Sequence, residues 1–271
     1  MTILIVLLGL LLSHLVRPVS RLRRFGWFGR LLGALRRSRL GGAAPAPAIA
    51  VVVVALALAL ALDWLAYSWL GWPGWFFAAL AVFVYSLGPR DLDHDVQILM
   101  AGGNDPRYLK VRRIMRIQRD AGAPEAAAAL FHAAQARWFG ALFWFVLLGI
   151  PGVLLYRLTR ISLNLPGLAP AQSGWLLRLR DVLDWPVLLL MLISAGLGGD
   201  YDRVRHAWHA HRQGRSPWTL QPEVLDEVGA VIVDSRASFE EGVTTGHHIV
   251  WRMLMIWLVA LSLILIAGWL S

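Results

Sequence analysis

The chain has 271 residues, 58% of them apolar and only 16% charged, where a soluble domain carries about a quarter charged residues. It has no cysteine, which excludes disulfides and thiolate metal sites. The net charge of +9 is almost wholly arginine, since Lys110 is the single lysine. No base-reading motif accompanies that charge, so the partners it implies are an anionic lipid bilayer and not nucleic acid.

Taken in order, residues 1–16 form a short apolar helix, retained because no basic leader or small-residue cleavage site accompanies it. Residues 17–48 begin with eight arginines and no acid among residues 17–40, mixed with Leu22, Phe25, Trp27, Phe28 and Leu31. That mixture predicts an interfacial helix on an anionic leaflet, weakened by Gly26, Gly29 and Gly33, with 41–48 as linker. Residues 49–87 read as a helical hairpin turning at Gly71-Trp72-Pro73-Gly74, with Asp63 and several aromatic residues near the turn. Residues 88–123 are a wet segment. In it Asp105 caps a helix opened by Pro106, and the helix runs to Gly122.

Residues 124–160 are an Ala-rich helix that becomes apolar, passes a Gly149-Ile150-Pro151-Gly152 break and ends on Tyr156-Arg157. The reading is a membrane helix entering from a wet side, with the break as a candidate hinge. An irregular loop from 161, a span over 182–199, a wet segment over 200–249 with an amphipathic helix at 222–242, and a last span over 250–270 complete the chain. No internal repeat is evident. The expected fold class is all-α and polytopic, about six membrane helices plus cytoplasmic amphipathic helices in one domain. Eight Arg and Lys in each of 17–42 and 89–137 place those segments in the cytoplasm. Six crossings then put 71–74 and 157–181 outside, although 157–181 carries four arginines.

Several stretches resemble, in order and spacing, the AmpE family of bacterial inner-membrane proteins linked to β-lactamase induction. They are YSLGPRDLD (85–93), FHAAQARWFGALFWFVLLGIPGVLLYRLTR (131–160), LDWPVLLL (183–190) and the C-terminal single span. The resemblance implies a multi-pass protein of the bacterial inner membrane. Its implied role is that of a non-enzymatic sensor or modulator of cell-wall recycling, with a muropeptide-like or other small-molecule ligand and no cofactor. More distantly, the Pro-Gly before Tyr156-Arg157 and the Asp184-Trp185-Pro186 run are similar to the CobD/CbiB membrane enzymes. Those join an amine to a corrinoid carboxylate with ATP. That likeness implies an alternative, a membrane ligase using ATP and Mg, with Tyr156, Arg157, Asp181 and Asp184 as its catalytic set. This chain departs from the enzyme pattern after Tyr156-Arg157 and in separating Asp181 from Asp184, as a relative that kept the scaffold and lost the chemistry would.

Candidate ligand contacts are Arg157 and Arg160, whose planar guanidinium groups fit a carboxylate or phosphate, and His132 and Gln135 on the wet end of the central helix. Asp91, Asp93 and Asp95 could hold a hard divalent cation, or could instead cap and favour a helix start. His206 and His209, three residues apart, have the spacing of two metal ligands on one helix face. Asp63 is the one ionisable residue that a transporter reading would use. Nucleotide loops, nucleophile elbows and zinc-protease motifs are absent from the sequence.

Overall fold

The structure, a computed structural model, describes residues 2–15, 25–37, 42–87, 91–103, 105–212 and 220–270. The parts of the segments read above that fall at 16–24, 38–41, 88–90, 104 and 213–219 lie outside those residues. Among the described residues every regular element is helical. Four helices are long and apolar enough to cross a membrane: Ala46–Trp69, Ala123–Ser162, Pro170–Gly198 and Phe239–Ile264. Two shorter apolar helices, Thr2–Leu12 and Gly71–Ser86, accompany them. The contacts group the chain into two units: Met1–Pro89 with Gly140–Leu183, and Arg90–Phe139 with Asp184–Ser271.

The first unit contains α1 (Thr2–Leu15), α2 (Gly26–Arg37), α3 (Ala46–Ser86), α7 (Gly140–Ser162) and the first half of α8 (Pro170–Gly198). Helix α3 reverses at Gly71, whose φ of 61° and ψ of −147° suit glycine alone. Trp75 Nε1 donates to Asp63 Oδ1 at 3.0 Å. In a straight helix those residues would stand about 18 Å apart, so the two arms run back along each other as the sequence predicts.

Helix α7 does the same at Gly149, with φ of 67° and ψ of −142°. A Cβ on Gly140 would lie 2.0 Å from the Tyr156 ring, and one on Gly152 would lie 2.3 Å from the Trp144 carbonyl oxygen. Residues 140 and 156 would be about 24 Å apart in a straight helix. The 124–160 stretch therefore does not run straight through: the chain turns back at residues 148–149. Length and hydropathy do not register such a reversal, and the apparent single span Ala123–Ser162 is divided by it.

The two reversals share one pattern, Leu-Gly-x-Pro-Gly, at 70–74 and 148–152. This is an internal repeat that the sequence reading missed. The glycine turns the chain. The proline two residues on fixes φ for the first turn of the returning helix and removes one of the N–H groups left without a partner there.

The hairpins also pack on each other. The Phe83 and Phe145 rings stand 4.7 Å apart. Phe25, leading into α2, stacks 4.4 Å from Tyr85, and the Arg157 guanidinium lies 5.8 Å from the same Phe25 ring. The open ends of both hairpins thus lie beside α2. Phe83 is twelve residues, about 18 Å, from its tip, whereas Phe145 is four residues, about 6 Å, from its own. The first tip therefore reaches roughly 10 Å further. It carries exposed Tyr67, Trp69 and Trp72, as a headgroup layer favours, while the second presents Leu147 and Leu148. From the Phe83–Phe145 contact to its tip, the first hairpin is therefore the longer of the two. Arg157 thus lies beside the arginine-bearing helix α2, at the open end of its hairpin.

The second unit contains α4 (Leu92–Ala101), α5 (Pro106–Ile114), α6 (Ala123–Ala134) with a π-helical turn at Gln135–Phe139, the rest of α8, α9 (Tyr201–Arg212), α10 (Val224–Ile232) and α11 (Phe239–Leu270). Asp91 and Asp105 cap α4 and α5. The Ala-rich helix α6 is packed against α10 and α11. A Cβ on Gly229 would lie 2.8 Å from the Ala128 Cβ, one on Gly242 2.3 Å from the Ala123 carbonyl oxygen, and one on Gly246 2.9 Å from the Ala127 Cα. Small residues on both sides allow this close approach, so the alanines serve as a packing face.

Three boundaries differ from expectation. Helix α5 stops at Ile114, two residues before Arg116 adopts a φ of 59°. The predicted 222–242 helix is split, because Ser238 and Glu241 form a reciprocal capping box that starts α11 at Phe239. Helix α8 begins at Pro170, inside the expected loop.

Candidate functional site

In the first unit the site is built on the returning arm of α7. Tyr156 is buried against Gly140, and its phenol oxygen accepts from Arg160 Nη2 at 3.0 Å. The Arg160 guanidinium lies 5.4 Å from the ring it bonds, a cation–π contact. Arg157, one residue on from Tyr156, is only 7% exposed. A snorkelling interfacial arginine would hold its head in water; the Arg157 head is instead enclosed, 5.8 Å from the centre of the Phe25 ring.

Arg157 lines an open cavity of about 740 Å³ between α2 and the end of α7. The α2 wall is formed by Gly26, Gly29, Arg30, Gly33 and Arg37, a single helix face by its three- and four-residue spacing. The glycines that weaken the helix as a sequence thus shape the cavity. None of its lining residues is acidic. Asp181, expected in a catalytic set with Tyr156 and Arg157, bonds its neighbour Arg180 at 2.6 Å and is half-exposed.

In the second unit, Arg137 Nη1 donates to Asp95 Oδ2 at 2.8 Å, with side-chain exposures of 9% and 0%. The π-turn presents Arg137 and buries Gln135 beside it. Insertions of this kind recur at functional positions in helices. Asp93 Oδ1 lies 2.7 Å from His247 Nε2 and accepts from Trp251 Nε1 at 3.1 Å. Asp91 Oδ1 accepts from the Asp93 backbone N–H at 3.2 Å. The three aspartates proposed as metal ligands are therefore directed to three different partners. Among the described residues no group of three or more His, Asp or Glu is gathered as a metal requires.

His132 Nε2 meets Asp226 at 2.9 Å on the surface of the unit. His206 lies 2.6 Å from its own helix at the Asp202 carbonyl oxygen. His209 is exposed, whereas His211 is buried and meets Glu227 at 2.9 Å. Asp184 is fully buried in α8. Sequence reasoning missed Arg137, His247 and the bonding role of Trp251. Arg137 and Asp95 are 42 positions apart and carry no local signal of pairing.

Comparisons with protein-family models, with curated proteins and with solved structures find no match.

Proposed function

We propose that this protein is a regulatory membrane protein of the AmpE type, coupling a small-molecule ligand to β-lactamase induction without catalysing a reaction. The observation that carries the reading is how the chain passes between its two units. It does so three times, at Pro89–Arg90 and, inside helices, at Phe139–Gly140 and at Leu183–Asp184. The two passages inside helices each adjoin a helix irregularity, the π-turn Gln135–Phe139 and Pro186 respectively. A wide turn and a missing backbone hydrogen bond are where a helix bends most readily. Two such joints provide a two-state element through which ligand on one unit biases the other. The hinge expected at 149–152 is the tip of a hairpin, and the coupling moves to these joints. In a bacterium deleted for its own copy, the wild-type gene should change drug-induced β-lactamase activity by at least about fivefold, the lower range of allosteric coupling. Equal induction with and without the gene would remove this reading.

A second reading, a membrane ligase or transferase using ATP and Mg, is favoured by the second hairpin. Arg157 lies beside the arginine-bearing helix α2, and the charge rule assigns both 17–42 and 89–137 to the cytoplasm, so on this reading both sets of candidate residues serve one compartment. Mg-dependent ATP consumption by the purified protein, lost in Arg157→Gln, would favour it over regulation.

A further inference from the structure

The cavity between α2 and α7 stands independently of either functional reading. Its chemistry has two halves. Arg30, Arg37 and Arg157 converge on it from two elements with no carboxylate among the lining residues. Between them the wall is apolar or bare, formed by Phe25, Ile161 and the glycine face of α2. A Cβ at Gly26 or Gly33 would meet nothing within 4 Å, so the groove beside them is open. Water-soluble anions need no apolar wall, and lipid tails need no guanidinium groups; a molecule with both parts satisfies the whole lining. The cavity is walled by α2, whose mixture of arginines and apolar residues suits the headgroup layer of an anionic leaflet.

We propose that this cavity binds the phosphate headgroup of an anionic membrane lipid, with the upper part of an acyl chain against Phe25 and Ile161. Arg157, enclosed and held against Phe25, fixes the phosphate position. Arg30 and Arg37, both exposed, close over it from α2. Guanidinium groups suit this task because their planar donor fork matches phosphate oxygens.

The test is native mass spectrometry of the full chain in neutral detergent, titrated separately with phosphatidylglycerol, phosphatidylcholine and soluble glycerol phosphate. One phosphatidylglycerol should be retained at least about tenfold more tightly than phosphatidylcholine, with glycerol phosphate failing to displace it. The double variant Arg30→Gln, Arg37→Gln, exposed and outside the core, should lose about that tenfold. Gly33→Phe, placed where a side chain meets no atoms, should block the groove to the same degree. Arg178→Gln, outside the cavity, should leave retention unchanged. Equal retention of the two lipids, or unchanged retention in the two cavity variants, would overturn the proposal. Displacement by glycerol phosphate at matched concentration would overturn the lipid assignment in favour of a soluble phosphate.

Discussion

Residues 70–74 and 148–152 spell the same turn, and the backbone at Gly71 (φ 61°, ψ −147°) and Gly149 (φ 67°, ψ −142°) is nearly superimposable. Their surroundings differ in every other respect. Around the first tip Trp69 and Trp72 are 77% and 62% exposed, and Asp63 is bonded to Trp75. Around the second the arms close on buried Tyr156 and Arg157, and the tip shows only leucines. One local device therefore serves two ends. In the first case it joins two long arms at a tip rich in exposed aromatic residues. In the second it brings Tyr156 back against Gly140 and Arg157 to the face of α2. Local sequence decides that the chain reverses; arm length and packing partner decide at what depth.

This difference can be broken or sharpened by substitution, and the largest effect falls where the second hairpin is tightest. Gly140→Ala forces a methyl group to within 2.0 Å of the buried Tyr156 ring. We expect a loss of more than about 3 kcal/mol in reversible unfolding, beyond ordinary overpacking because the ring has no free space to enter. Next, Gly71→Ala and Gly149→Ala should cost similar amounts, about 1–3 kcal/mol each, because the strain is in the backbone and a Cβ at either site meets nothing closer than 3.9 Å. A cost confined to one of them would show that the turns are not equivalent. The smallest effects should come from the single bonds that tie each hairpin. Asp63→Ala removes the bond from Trp75, and Trp144→Phe removes the bond to the Leu183 carbonyl oxygen at 2.9 Å. Each should cost about 0.5–1.5 kcal/mol, read as a shift in unfolding midpoint.

The all-α class, the first hairpin and the caps at Asp91 and Asp105 were legible in the chain because each rests on neighbours in sequence: apolar run length, a Gly-Pro turn, an acid before a helix. The second hairpin carried the same five-residue signal but was read as a kink within a span, since its flanking hydropathy continues unbroken from 138 to 156. The conflict was visible nonetheless, in arginines at 157 and 160 that an uninterrupted crossing places on the side the charge rule disfavours. The cavity and the Asp95–Arg137 pair were not legible. Both depend on residues brought together from separate helices, and in the case of α2 on glycines whose local preference argues against the helix they occupy.

The central claim is that the 140–162 segment turns back. The chain has no cysteine, so single-cysteine labelling in intact cells with a membrane-impermeant thiol reagent tests it directly. The sites are Ala34→Cys on α2, Trp72→Cys at the first tip and Asn164→Cys just beyond α7, all exposed. Re-entry predicts that positions 34 and 164 are labelled from one side of the membrane and position 72 from the other. Labelling of position 164 from the same side as position 72 would contradict it.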